Sequence, residues 1–192
     1  MAISTFKHVG ASTPVPFCQE LGIAINEPVD IDDTNIPGVK ICLSLRYSAD
    51  VGRIIPVGLS LSQRDDSNQI ELNGTLIRKL QIKKYVQTEV NGSLWSFKEG
   101  EWKSLSPFDS ILDAANLKQK IANKELRTSD EELYRWVARI YRFYEVINEP
   151  PMQKVETLLG ITHTRAARWI KTARETVDDW DGSELRAKLS ME

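Results

Sequence analysis

From residue 39 onward apolar and polar positions alternate. Ile41, Leu43, Leu45 and Tyr47 stand against Lys40, Cys42, Ser44 and Arg46, and Ile55, Val57, Leu59 and Leu61 repeat the pattern around Gly58 and Ser60. A period of two places one set of side chains on one face of the backbone, so the pattern predicts two half-buried strands. SADVGR between them is short enough for an antiparallel hairpin, and QRDDSN closes the second strand with turn-forming residues. Leu76, Ile77, Leu80, Tyr85 and Val86 then recur at roughly helical spacing behind Asn73, a residue suited to capping. SLWSFKEGEWKSL predicts a small hairpin about Glu99 and Gly100, with Trp95 and Trp102 near each other across it. Upstream, residues 1–38 hold PVP, NEP and NIPG with few periodic apolar positions, the pattern of an irregular arm. DIDDTN reads as a solvated loop, because a calcium loop needs glycine sixth and glutamate twelfth where this chain has Asn35 and Ile41.

Past Ser106-Pro107 the period lengthens and the chain reads as helical to its end. The expected class is therefore α+β. An α+β domain with its arm spans 1–106, a connecting helix 107–127, an all-α trihelical domain 128–177, and an acidic tail 178–192.

Three helices are expected in the trihelical segment. Leu133, Val137, Ile140, Tyr144 and Ile147 form one apolar stripe, with Arg135, Arg139 and Arg142 read as the opposite, solvated face, where Glu131 and Glu132 can pair with them. Asn148-Glu149-Pro150-Pro151 stops this helix and leaves a proline to begin the next. The second helix is short, from Pro151 to Leu159, burying Met152, Val155 and Leu159. Gly160 then supplies a left-handed turn, Ile161 plugs it, and Thr162 caps a third helix with Ala166, Trp169, Ile170, Ala173 and Val177 on one face.

Charge changes this picture where it is uneven. The net charge of −2 over 192 residues argues against a general polyanion binder, yet residues 127–174 hold 9 Lys+Arg against 6 Asp+Glu, and residues 175–192 hold 2 against 6. Between 161 and 174 there are four basic residues and no acidic one.

Residues 155–175, VETLLGITHTRAARWIKTARE, resemble the helix-turn-helix DNA-binding domains of bacterial and phage transcriptional regulators. Val155, Leu159, Gly160, Ile161, Thr162, Ala166, Trp169 and Ile170 carry the resemblance, and Glu156 departs from it by standing where such domains have a small residue. The resemblance implies a recognition helix that enters a major groove, where arginine pairs with guanine and small hydroxyls reach most bases. Thr162, His163, Thr164, Arg165, Arg168, Lys171 and Thr172 would then face DNA, with Arg174, Gln153 and Lys154 on phosphates. It also implies a homodimer covering two half-sites, for which the N-terminal domain can supply the contact. The competing expectation is a protein-interaction adaptor, such as a phage assembly or packaging component, whose trihelical unit or sheet edge binds a protein partner.

Other chemistry is thinly represented. His8 and His163 lack metal-ligand neighbours in sequence, NGTLIRKL lacks the glycine-lysine pairing of a phosphate loop, and Cys42 has no evident base, so neither catalysis, a metal nor a cofactor is expected. Cys18 and Cys42 read as reduced thiols of a cytoplasmic protein, since the first residues carry no secretory signal and no apolar window is long enough to cross a bilayer.

Overall fold

A computed structural model describes residues 5–8, 13–25, 28–33, 35–63, 71–91, 94–105 and 116–191. Residues 107–115 of the expected connecting helix and residues 64–68 of the QRDDSN turn lie outside them. The class is α+β, and the described residues form two four-stranded antiparallel sheets. Among the described residues no helix is long and apolar enough to cross a membrane.

One sheet runs in the order β1 (Thr5–His8), β4 (Val29–Asp32), β5 (Val39–Ser48), β6 (Arg53–Gln63). β5 and β6 are the alternating strands of the sequence. Their register sets Ile41 against Leu61 and Leu43 against Leu59, while Val29 and Ile31 of β4 continue the same apolar rows to Leu43 and Ile41. The residues expected to form an irregular arm thus supply four strands. β1 and β4 complete this sheet, and β2 (Val15–Cys18) and β3 (Leu21–Ile23) begin the second, in the order β2-β3-β7-β8. Strands of three or four residues are too short to carry a period, and only pairing with distant segments reveals them.

β7 (Leu94–Lys98) and β8 (Glu101–Ser104) are the hairpin expected around Glu99 and Gly100. The register places Phe97, not Trp95, opposite Trp102, and those two rings meet edge to face at 5.1 Å. Trp102 covers Gly22 so closely that a Cβ there would lie 2.4 Å from its ring.

The helical segment after Asn73 is broken at Leu80 into α1 (Gly74–Lys79) and α2 (Ile82–Asn91). Asn73 caps α1 as expected, its side chain accepting from the N–H groups of Thr75 and Leu76 at 3.1 Å. α2 is tied to the first sheet through the DIDDTN segment, which is not merely solvated. Asp33 is buried. Its Oδ1 accepts from Asn35 N and Nδ2, each at 2.8 Å, and its Oδ2 accepts from the Tyr85 hydroxyl. Burial alone would raise the Asp33 carboxyl, but the Tyr85 and Asn35 hydrogen bonds outweigh it and hold the group below the usual carboxylate range. Tyr85 is pushed up to about 12 by burial and by its bond to Asp33.

A group lowered in this way stabilises the fold above its ordinary value and stops doing so as pH falls through the folded one. Tyr85→Phe should therefore cost roughly 1–3 kcal/mol at neutral pH, the range for a buried carboxylate losing a donor. The gap from the parent should narrow as pH falls through the ordinary carboxylate range and close only below the parent's own lowered value, where Asp33 is neutral in both proteins. Urea melts across that range measure it, and a pH-independent gap would show that the hydrogen bond is not what lowers Asp33.

A helix covering 116–122 (α3) leads to α4 (Glu131–Val146), α5 (Pro151–Leu159), α6 (His163–Thr176) and α7 (Ser183–Leu189). α4 is buried along two rows. Leu133, Val137 and Ile140 form the expected stripe, and Ala138, Arg142 and Val146, four residues apart, form a second. This corrects the expectation that the three arginines are solvated. Arg135 does pair with Glu131 at 2.6 Å in the open, but Arg139 reaches Glu20 beside β3 and Arg142 is buried against the Phe17 carbonyl of β2.

The segment read as an acidic tail folds back onto β2. Arg186 donates to the Pro16 carbonyl at 2.6 Å, and Gln19 N donates to the Asp179 carbonyl at 2.9 Å. Gly182, at φ 72°, sits where a Cβ would fall 2.7 Å from Phe17 N. Strands and helices share a continuous buried core that runs from Phe17 and Ile31 to Trp169 and Val177.

Candidate nucleic-acid interface

The candidate surface is built by α4, α5 and α6, which pack on one another. Proline at the first position of α5 fits a helix start that has no use for an N–H. Gly160 ends α5 at φ 64°, ψ 39°, and the N–H of Ile161 returns to the Glu156 carbonyl at 3.1 Å. That left-handed residue lets the chain reverse within three residues. Thr162 occupies the N-cap position of α6 with extended backbone, but its side chain makes no capping bond, so its hydroxyl is left facing outward with the helix start.

Ala166, Trp169, Ile170 and Ala173 are buried beneath α6. The small Ala166 side chain, with Val155 and Leu159 of α5, lets the helices approach. Glu156 is accommodated because it does not point into that contact. Its Oε1 lies 2.6 Å from His163 Nδ1, joining the body of α5 to the first residue of α6.

Of the residues expected to face DNA, Thr162, His163, Thr164, Arg165, Arg168, Lys171, Arg174 and Gln153 are exposed, whereas Thr172 and Lys154 are half-buried. Thr164, Arg168 and Lys171 recur at spacings of four and three, on the face opposite the buried stripe. Arg165 lies on a flank with its guanidinium 4.4 Å over the Trp169 ring. Thr172 donates back to the Arg168 carbonyl at 3.2 Å.

Two expected phosphate ligands are already engaged. Arg174 donates to the Tyr141 hydroxyl at 3.0 Å and stacks over the Tyr141 and Trp180 rings. Lys154 pairs with Glu149 at 2.6 Å and covers the Tyr144 ring, and the Glu149 hydrogen bond holds its ammonium above the usual lysine value. These contacts were not legible in the sequence because Tyr141, Tyr144 and Trp180 come from other elements. Lys171 has only a 4.0 Å approach to the exposed Glu175. Of the α6 arginines, Arg168 is the one whose head group neither stacks on a ring nor meets a carboxylate among the described residues.

The surface offers cationic and hydroxyl donors on a rigid helix, and no nucleophile-base pair. Among the described residues no group of His, Cys, Asp or Glu is placed to hold a metal ion. Cys18 is a buried free thiol pushed up to about 12 by desolvation, against the opposing pull of Arg142 and Arg139. Compared with known proteins, the chain matches no family model, no curated protein and no solved structure.

Proposed function

We propose that this chain binds double-stranded DNA sequence-specifically, with α4, α5 and α6 acting as a helix-turn-helix unit of the kind used by bacterial and phage transcriptional regulators. One observation carries the reading. The outward row Thr164, Arg168 and Lys171 stands on a helix fixed by the buried Trp169, with no acidic residue between His163 and Arg174 to oppose a phosphate backbone. Thr162 and Thr164 at the helix start suit base edges, Arg168 suits guanine, and Lys171 and Gln153 suit phosphates. The function is binding, not catalysis.

A protein-partner reading rests on a different surface. Among the described residues β6 ends its sheet, paired only with β5, and leaves Val57 46% and Leu59 41% exposed. Such an edge is a ready template for another strand. A second copy there would make the homodimer of a regulator, and a different chain there would make an adaptor. Sedimentation of the full chain separates the two.

Selection from random duplexes tests the main reading, with Arg168→Ala as the decisive variant. Because Arg168 is exposed and its head group meets neither a ring nor a carboxylate among the described residues, its loss should leave the melting temperature nearly unchanged. On the selected site it should cost about 1–3 kcal/mol and relax preference at one base pair. Unchanged affinity and preference would remove α6 from the interface and advance the protein-partner reading.

A further inference from the structure

The duplex contact extends beyond the three helices. We infer that Lys83 and Lys84 of α2 form a second phosphate-binding patch, continuous with the N-terminal end of α5, for the same duplex that α6 would read. The inference rests on the DNA-binding reading above and adds a surface outside the three helices.

The geometry is local and specific. α2 buries Tyr85, Val86 and Glu89, which turns Lys83, Lys84 and Gln87 to the other side. Those three line a shallow groove whose far wall is Glu149 and Pro150, the residues immediately before α5. Glu149 is the only carboxylate among the described residues lining the groove, and it is already paired with Lys154 at 2.6 Å. Neither Lys83 nor Lys84 makes an ion pair with a described residue; the Lys84 charge acts on the nearby Asp33 only at a distance, since the Asp33 oxygens bond Asn35 and Tyr85. Arg78 and Lys79, exposed in the last turn of α1, add positive charge just ahead of the groove.

A helix-turn-helix unit places the N-terminus of its first paired helix at a phosphate strand along the groove edge. Ammonium groups beside that end meet the same strand, and the amides of Gln81 and Gln87 are neutral donors able to contact phosphate oxygens. Rigid attachment matters as much as charge. α2 is anchored to the first sheet through Tyr85 and Asp33, so the lysine stems start from a fixed position.

The test is the salt dependence of duplex binding by the full chain and by Lys83→Gln/Lys84→Gln. Each phosphate contact adds about 0.9 to the slope of log affinity against log salt, so two contacts make the parent lose roughly 12-fold more affinity than the variant over a fourfold rise in salt. The variant should weaken on all sequences alike and keep the parent's base preference. Lys83→Arg/Lys84→Arg should restore the slope, which a purely structural role for the lysine stems would not require. If Lys84 proves to support Asp33, melting of the double variant will show it, and Lys83→Gln alone should still lower the slope by about 0.9. A parent that binds duplex with the same slope as the variants overturns this inference only. A parent with no duplex binding at low salt overturns the reading beneath it as well.

Discussion

Trp169→Ala should lower stability by about 3–5 kcal/mol, the range for emptying a large aromatic site in a packed core. Trp169 is 1% exposed and is the largest fully buried side chain of the fold, set between α6 and the rest of the core. Its buried neighbours on the helix, Ala166, Ile170 and Ala173, are short or branched and can fill little of the space it would leave. The same change also removes the ring beneath Arg165. DNA binding should therefore fall with the fraction folded, not through a lost base contact. Trp169→Phe should behave differently. The indole Nε1 is buried with no hydrogen-bond partner among the described residues, and deleting such a donor recovers on the order of 1–3 kcal/mol that offsets the smaller ring. Urea melts of both variants should thus differ by more than about 2 kcal/mol. Equal losses would mean that a phenyl ring at this site recovers neither the packing of the indole nor the penalty of its unpaired N–H.

The core beneath α6 was legible because its periodicity is strong and its neighbours are close in sequence. Ala166, Trp169, Ile170 and Ala173 fall on one helical face wherever the helix packs, and the proline and glycine on either side of α5 fix its length locally. β5 and β6 were legible for the corresponding reason at period two. What escaped depends on partners far along the chain. β1 becomes a strand only by pairing Phe6 with Ile31, and β3 only by lying between β2 and β7. The turn of α7 onto β2 depends on the backbone contact at Gly182, which no pattern in an acidic segment announces.

The candidate interface divides along the same line. Exposure of Thr164, Arg168 and Lys171 follows from helical geometry once the buried stripe is known. The loss of Arg174 and Lys154 from the free cationic surface does not follow, since it needs Tyr141, Tyr144 and Trp180 brought alongside. Conversely, Lys83 and Lys84 gain interest only because α2 is set beside Pro150, across a sequence separation that periodicity cannot bridge.

Arg142 is the sharpest case of a residue misread by its type, and Arg142→Ala is expected to cost about 3 kcal/mol or more. Basic residues at helical spacing are ordinarily solvated, but Arg142 is 5% exposed and occupies the second buried row of α4. Its Nε and Nη2 both donate to the Phe17 carbonyl over long 3.4 Å bonds, and Nη1 meets Glu145 on its own helix. The guanidinium also lies against the β5–β6 turn, where a Cβ on Gly52 would come within 3.3 Å of Nη1. One side chain therefore joins α4, β2 and the hairpin turn. Truncation leaves a buried carbonyl without its donor, a carboxylate without its partner and a cavity between sheet and helix, three costs that act together. Arg142→Met separates them, since it keeps most of the aliphatic stem and removes only the charge and donors. It should recover at least about 1 kcal/mol relative to alanine if packing is a substantial share. Hydrogen exchange should rise in β2 and in the middle of α4 together, because the contact they share is what is lost. Exchange that rises in α4 alone, with β2 protected as before, would show that Arg142 is held by its helix and does not join the strands to it.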